Sequence, residues 1–454
     1  MEYVFAGFML LLCIICLILM VRNQDGSYLM IGVTGLFSIG YYVLPVFFKS
    51  FSGLDRLNDE DVSVAIAMCF LFFFFLITGN YAATRYFRVK RFTGIKLAFF
   101  DGFFVRNRIY VFSIGFFIWI TYFFNAEVTS YSADDFEAFF HERSPLDGLL
   151  AALSGFALSA MAVSLVLCII HRQQKAAIWM TIIYAGCVVL LLSSGQRLAV
   201  ISPIFTFVAA LVLFGKQWDG IKIIIIGIMI LIIISPFMVF VREFRGASGR
   251  DKILTATTAY SAGDDNVILK YFSSIMERAD LIDVMTYLKK YIDASGYASG
   301  DYYPSIIYSF VPKFVMPNKP YPLSDTGTIR GEISVIAWSI YRGNTTGSLT
   351  AFGAISAYRE GGWLWVPVNG FLTGISFSLI FAVLGRGGVV ARWLFSVIFV
   401  TACIKNVPPS FFYLWVFMAS SVNTLIVLVI FHKLLSSIVP KTQAASLYQR
   451  QYRE

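Results

Sequence analysis

Long apolar runs constrain this sequence more than any motif does. A helix needs about 20 apolar residues to cross the hydrocarbon core of a bilayer. Hydrophobic residues make up 58% of the chain and charged residues 14%, against roughly 45–50% and roughly 25% in soluble domains. Because no soluble core buries that much apolar surface with so few charges, soluble-enzyme, disordered and fibrous classes are excluded. The eleven predicted spans are 3–21, 28–48, 62–83, 109–125, 148–170, 176–194, 198–214, 222–241, 363–384, 391–407 and 411–432.

The distribution of Lys and Arg predicts how these spans are oriented. With the N-terminus outside, eighteen basic residues lie in segments that face inward and five in short segments that face outward. Cytoplasmic segments carry the excess of Lys and Arg in membrane proteins. The net charge of +9 is therefore mostly topological, and nucleic-acid binding is a poor alternative.

One long outer loop, 242–362, divides the chain. We expect an N-terminal bundle of about eight spans in 1–241, and about three spans with a basic cytoplasmic tail in 363–454. Within the loop, 267–292 has helical period and predicts an amphipathic helix that lies on the membrane or packs on the bundle. The proline-rich segment 311–322 predicts a stiff, extended strut.

The loop also carries residue types that bind a charged glycan. An aromatic, Gly-rich connector, 296–310, precedes the proline strut. Saccharides stack on Tyr and Trp and hydrogen-bond to Arg and carboxylates, and a lipid pyrophosphate needs several Arg or Lys because the Arg fork binds phosphate oxygens through two donors. The candidate glycan-binding residues are Tyr303, Lys319, Arg330 and Arg359.

Several arginines at the predicted outer membrane level are candidates for anion binding. Arg197 lies in SSGQRLAV between two apolar runs, where a charge costs about 2.5–3.5 kcal/mol on insertion scales. Its alternative interpretation is snorkelling to lipid phosphates. Arg242 and Arg245 leave the eighth span on one helix face, and a positively charged helix end is their alternative. Arg278 lies midway along the amphipathic helix, with a helix salt bridge as its alternative.

The sequence predicts no metal or cofactor site. His141 is the one histidine expected outside, so there is no outer histidine cluster. The six cysteines all lie in apolar runs, where they behave as small hydrophobes. Asp134 and Asp135 are adjacent and similar to the acidic pairs that bind metal–phosphate in some glycosyltransferases, but a solvated loop is the favoured interpretation.

Three segments carry a family resemblance. They are SSGQRLAV, the run from ERADLIDVMTYL through SGYASGDYYPSIIYSFVPKFVMPNKPYP, and SLTAFGAISAYREGGWLW leading into a span. Each segment looks like a feature of one family. The first looks like its turn of small residues and Arg, the second like its Arg-bearing helix with a Gly/Tyr connector and proline strut, and the third like its Gly-rich return to the membrane. With the span layout, most of the chain resembles the Wzy-type bacterial oligosaccharide repeat-unit polymerases.

The resemblance implies an all-α, GT-C-like fold in the bacterial inner membrane, with an active site that faces the periplasm. It implies transfer of a growing glycan from undecaprenyl pyrophosphate to the non-reducing end of another lipid-linked repeat unit, without nucleotide sugar, metal or cofactor. By that likeness Arg197 and Arg278 bind the pyrophosphate, and Arg245 and Arg242 are further candidates. The implied partners are the lipid-linked oligosaccharide, the bilayer and, as a further candidate, a chain-length regulator.

The acceptor hydroxyl needs a general base. Glu332, Glu360 and His141 are the candidates, and Glu332 is preferred. Two other functions stay open. An O-antigen ligase or another GT-C glycosyltransferase would share the fold and donor, with lipid A core as the ligase acceptor. A flippase for lipid-linked oligosaccharide is the transporter alternative, disfavoured because the outer loop is long and the charges cluster at one face.

Overall fold

The computed structural model describes residues 1–22, 28–48, 58–89, 94–125, 145–193, 197–214, 281–298, 303–311, 316, 353–400 and 410–438. The regular structure in these ranges is helical, and they contain no strand. The helices before the long loop are α1 (Glu2–Arg22), α2 (Leu29–Phe47, with a π turn at Ile39–Val43), α3 (Asp59–Val89), α4 (Ala98–Arg106), α5 (Arg108–Asn125), α6 (Pro145–Ile170), α7 (Gln174–Ser193) and α8 (Arg197–Phe214).

Six further helices follow in the described residues. They are α9 (Leu281–Ser295), α10 (Tyr303–Phe310), α11 (Gly353–Gly361), α12 (Trp365–Ile380), α13 (Val389–Val400) and α14 (Phe411–Ile438). A 3-10 turn, Gly362–Leu364, joins α11 to α12, and a π turn, Phe381–Gly385, ends α12. One candidate span therefore runs from Gly353 to Gly385.

The described helices are compatible with a polytopic membrane protein, as the apolar runs predict. Six candidate spans are long and apolar enough to cross a membrane, or seven if α4 and α5, bent by 85° at their junction, count as one. Shorter apolar helices cover Ser202–Phe214, Val389–Phe399 and Ser421–Ile430. The eighth predicted span, 222–241, lies outside the described residues. The count of eleven and the GT-C-like fold stay predictions.

Helices α3 and α12 pack backbone to backbone. A Cβ on Gly370 would lie 2.3 Å from the Phe72 carbonyl oxygen, and one on Gly374 would lie 2.0 Å from the Leu76 carbonyl oxygen. The contact moves four residues forward along both helices, from Gly370 and Phe72 to Gly374 and Leu76, so the two helices run parallel. Lipid provides no hydrophobic force between helices, so small residues that let backbones approach are the usual basis of such packing.

Side chains at one end of the bundle fix several helix termini. The Asp101 carboxylate accepts the backbone N–H of Leu97 at 3.0 Å and that of Val390 at 2.9 Å, next to the starts of α4 and α13. The Arg392 guanidinium donates to the Leu213 carbonyl oxygen at 2.9 Å, near the end of α8. The Lys and Arg distribution predicts that this end faces the cytoplasm.

Helix α9 is the described half of the predicted amphipathic helix 267–292. Its apolar stripe contains Ile282, Met285 and Leu288, each at most 1% exposed. An amphipathic helix buries its apolar stripe against whatever covers it. Here the stripe joins the main hydrophobic core, which also contains residues of α3, α11 and α12. Of the two predicted placements, the structure therefore has packing on the bundle.

Helix α9 lies at the end of the bundle opposite Asp101. The Met285 sulfur lies 3.4 Å from the Cys69 sulfur of α3. Lys290 Nζ lies 2.7 Å from an Asp61 carboxylate oxygen at the start of α3. Both contacts place α9 over the part of the bundle that is predicted to face outward.

The structure differs from the sequence interpretation in two segments. The predicted connector 296–310 contains a helix, α10, whose second residue is Pro304. Proline suits the first turn of a helix because its fixed φ is helical and its missing N–H is not needed there. Helix α11 begins ten residues before the predicted span at 363 and is buried through Glu360. Only residues 311 and 316 of the predicted strut are described.

Candidate functional site

A cluster of polar and aromatic side chains lies where α9, α11 and α12 meet. This end of the bundle contains the start of α3, which the Lys and Arg distribution predicts to face outward. We call the set the outer polar cluster, and its members are Lys289, Asp293, Tyr297, Tyr358, Arg359, Glu360, Trp363 and Asn369.

Two turns with glycine in a left-handed conformation build the cluster. Gly296 follows α9 with φ of 88°, and Gly362 follows α11 with φ of 73°. Side chains with a Cβ rarely adopt such values, and glycine adopts them without steric cost. The Ala298 N–H donates to the Arg359 carbonyl oxygen at 2.7 Å, and the Arg359 guanidinium donates to the Gly296 carbonyl oxygen. The end of α9 and the end of α11 are thereby fixed to each other.

Asp293 is the acceptor at the centre of the exposed half of the cluster. The Tyr358 hydroxyl donates to its Oδ1 at 2.6 Å, and Lys289 Nζ lies 2.5 Å from its Oδ2. Burial raises the pKa of the Asp293 carboxyl, but the hydrogen bonds from Lys289 and Tyr358 and the positive charge of Lys289 outweigh it. The net effect lowers the pKa, which keeps Asp293 ionised as an acceptor.

Three aromatic rings form the wall beside Asp293. The Tyr358 ring is only 3% exposed, with the Tyr297 ring centroid at 5.7 Å and an interplanar angle of 85°. The Trp363 centroid lies 5.8 Å from that of Tyr358, at 77°. Tyr297 is 48% exposed and Trp363 is 41% exposed. Both outer rings are thus held edge-on by a buried ring and keep part of their surface free.

Glu360 lies on the buried side of the cluster. Its side chain is 1% exposed, and the Asn369 Nδ2 donates to its Oε2 at 3.0 Å. The Asn369 Oδ1 accepts the Phe411 N–H at 3.0 Å. Asn369 therefore connects the carboxylate on α11 to the first residue of α14. Ionisable residues at membrane depth are expensive to bury and are functional-site candidates for that reason.

The structure brings two of the predicted site residues together, Arg359 and Glu360. Both side chains are buried, and they point to different partners, the Gly296 carbonyl oxygen and Asn369. Arg197 and Tyr303 are the first residues of α8 and α10, and their side chains lie outside the described structure. The predicted residues that lie outside the described ranges altogether are His141, Arg242, Arg245, Arg278, Lys319, Arg330 and Glu332. The roles of all these residues stay predictions.

Sequence reasoning missed Asp293, Tyr358 and Asn369. Asn369 gives the clearest signal, because it is an amide inside the apolar run WVPVNGFL, where an unpaired polar side chain is costly. Tyr358 directly precedes the predicted Arg359–Glu360 pair. Asp293 has no local signal, since an acidic residue near the end of an amphipathic helix is ordinarily solvated.

The described residues contain no group of three or more His, Cys, Asp or Glu side chains that could hold a metal ion. The acids and bases of the outer polar cluster can accept and donate protons and can bind hydroxyl groups or anions. No family model, no curated protein and no solved structure matches this chain.

Proposed function

We propose that this protein polymerises lipid-linked oligosaccharide repeat units on the periplasmic side of the bacterial inner membrane. Two features support the proposal. Three segments resemble the Wzy-type polymerases, and the apolar helices are compatible with a membrane protein. The single observation that carries the proposal is the buried pair Arg359–Glu360 at the end of the bundle that is predicted to face outward. That pair lies in SLTAFGAISAYREGGWLW, one of the segments that carry the resemblance.

In the proposed reaction, an acceptor hydroxyl attacks the anomeric carbon of the donor glycan. The bond from that carbon to the pyrophosphate oxygen breaks, and undecaprenyl pyrophosphate leaves with the bonding electrons. Arg197 and Arg278, with Arg245 and Arg242, neutralise the leaving group, an electrostatic role in which one well-placed donor is worth about 10²–10³ in rate. The hydroxyl proton goes to a carboxylate or imidazole base, with Glu332, Glu360 and His141 as candidates.

Glu360 fits the role of base in one respect. The Asn369 amide donates to one Glu360 carboxylate oxygen and so orients the carboxylate, as a base must be oriented towards its proton. Lys319, Tyr303, Arg330 and Arg359 are the proposed glycan contacts. The proposed donor and acceptor are both undecaprenyl-pyrophosphate-linked oligosaccharides, and no metal ion or cofactor takes part.

Deletion of the gene, followed by gel analysis of the lipid-linked and surface glycans, tests the proposal. A polymerase deletion leaves single repeat units and no long chains. Long chains that persist on the carrier but are not attached to lipid A core indicate a ligase, and loss of all surface glycan indicates a flippase. Either of these two patterns contradicts the proposal.

Point variants in the complemented deletion strain test the anion site. Arg197→Ala and Arg278→Ala should each reduce long-chain product by about 10²-fold at normal protein level. Arg85→Ala is the matched control, since Arg85 is an exposed arginine at the end of α3 that is predicted to face the cytoplasm. Unchanged chain-length distributions in both Arg197→Ala and Arg278→Ala would remove these residues from the mechanism.

A further inference from the structure

Beyond the residues named so far for glycan contact, the outer polar cluster contains two partly exposed aromatic rings at fixed positions. The geometry points to a saccharide-binding subsite in which Tyr297 and Trp363 stack on the apolar face of a sugar ring, and Asp293 with Lys289 binds its hydroxyl groups. This inference rests on the proposed function, because it takes the repeat-unit oligosaccharide as the ligand.

The position of the Tyr297 ring is the first observation in its favour. A Cβ on Gly362 would lie 3.0 Å from the Tyr297 Cζ, so the ring packs directly on the Gly362 backbone. Trp363 is the next residue in the chain. The two exposed rings therefore border the same turn and both pack on Tyr358.

The rigidity of the two turns is the second observation. The Arg359 backbone and guanidinium both bind the turn at Gly296, and the buried Tyr358 ring contacts both exposed rings edge-on. A ring that is already fixed loses little conformational entropy when a ligand stacks on it, which is the basis of preorganised binding.

The polar groups beside the rings are the third observation. Each Asp293 carboxylate oxygen accepts one described hydrogen bond and has a second lone pair for a sugar hydroxyl. The Lys289 ammonium has three N–H donors, and one of them serves Asp293. The Asp293 side chain is 41% exposed and that of Lys289 is 23% exposed, so both reach the surface. Apolar ring faces bordered by an acceptor and a donor match the two surfaces of a pyranose.

Binding can be measured on the full-length protein in lipid nanodiscs by isothermal titration calorimetry. The probe is the oligosaccharide released by mild acid from the lipid-linked repeat units of the source organism. We expect Tyr297→Ala and Trp363→Ala each to weaken the Kd of this probe roughly tenfold, and the ring-preserving Trp363→Phe to keep most of the affinity. Trp179→Ala is the matched control, because Trp179 is 67% exposed on α7, outside the outer polar cluster.

Unchanged Kd values in both Ala variants overturn the subsite. A role of Trp363 as a bilayer anchor alone also overturns the subsite. In that case brominated lipid quenches Trp fluorescence less in Trp363→Ala than in wild type, and the Kd of the oligosaccharide does not change. If an Ala variant fails to fold, Tyr297→Leu and Trp363→Leu keep a larger apolar side chain than Ala and remove the ring. The gene deletion separates this inference from the proposed function. Normal long chains in the deletion strain contradict polymerisation, whatever the Kd of the oligosaccharide shows.

Discussion

Asn369 donates a hydrogen bond to the Glu360 carboxylate at 3.0 Å and accepts the Phe411 N–H with its other amide atom, also at 3.0 Å. A single buried amide thus serves an acid on α11 and the first residue of α14. Both the donor and the acceptor of the Asn369 amide are therefore used, and an apolar replacement removes both hydrogen bonds.

Asn369→Leu keeps the branched shape of the side chain and removes both hydrogen bonds. We expect a loss of about 1–3 kcal/mol in unfolding free energy, since a buried acceptor and a buried donor each lose a partner. Thermal unfolding of the purified protein in detergent measures the effect. Thr373→Val is the control, because Thr373 is equally buried one turn along α12 but bonds only to its own helix. Equal losses in the two variants would mean that Asn369 acts by packing alone.

Gly374→Ala tests the close approach of α3 and α12. The new methyl group would lie 2.0 Å from the Leu76 carbonyl oxygen, so the two backbones must separate. Overpacking of this kind costs typically about 1–3 kcal/mol, and we expect a lower melting temperature and reduced protein yield.

Gly186→Ala, in α7, serves as the comparison for Gly374→Ala. Nothing lies within 4 Å of a Cβ added at Gly186. The substitution should be neutral, or stabilising by up to about 1 kcal/mol through helix propensity. Similar losses in both alanine variants would contradict the role of close approach.

Asp101→Ala tests the connection between α4 and α13. The carboxylate accepts backbone N–H groups next to the starts of both helices, and its removal leaves them without that acceptor. Loss of a capping side chain costs about 0.5–2 kcal/mol per helix. Hydrogen exchange followed by mass spectrometry should show faster exchange at both Leu97 and Val390. Asp101→Asn keeps one oxygen acceptor and should have a smaller effect. Faster exchange in Asp101→Ala at only one of the two residues would mean that Asp101 does not stabilise both helix starts.

The docking of α9 should depend on pH through Asp293. Its pKa in the folded protein lies below its ordinary value, because the hydrogen bonds and charge of its partners outweigh burial. Its stabilising effect is therefore complete above the pKa of an unfolded Asp, about 3.9, and is lost as the pH falls through the lower folded pKa. The stability difference between wild type and Asp293→Asn should be largest at neutral pH and shrink towards pH 3.

Tyr358→Phe provides the internal comparison for that measurement. It removes one of the two described hydrogen bonds to Asp293 and leaves Lys289 in place. We expect a smaller pH-dependent difference of the same sign. A wild-type advantage over Asp293→Asn that stays constant from pH 7 to pH 3 would show that the carboxylate charge does not hold α9 in place.

Most helix positions could be read from the apolar runs. The predicted spans 62–83 and 148–170 lie within α3 and α6, and 3–21 lies within α1. The prediction is good because every backbone N–H and C=O in a bilayer must be satisfied within its own helix, so each span is a local property of about 20 residues. The start of α11 was missed because GAISAYREG is polar enough to look like loop, and it is helical because its apolar side packs into the main core.

The candidate site could be predicted only in part. Arg359 and Glu360 were named separately from the sequence, as a candidate glycan contact and a candidate base. The partner of Arg359 was not predicted, since Gly296 is 63 residues away, and neither was the contact between Tyr358 and Asp293, which are 65 residues apart. Which side chain of an amphipathic helix meets which residue of a distant turn depends on where the helix docks, and the period of the pattern gives only its buried face.

By itself the sequence determined that this chain forms apolar helices, which face of α9 is buried and which end of the bundle is expected to face outward. These are properties that solvent, whether lipid or water, imposes on each segment separately. Only the tertiary structure decided that α3 and α12 touch through glycines, that Asn369 meets Glu360 and that Tyr297 packs on Tyr358. Those contacts form between different helices and turns, and they depend on packing distances that no local pattern records.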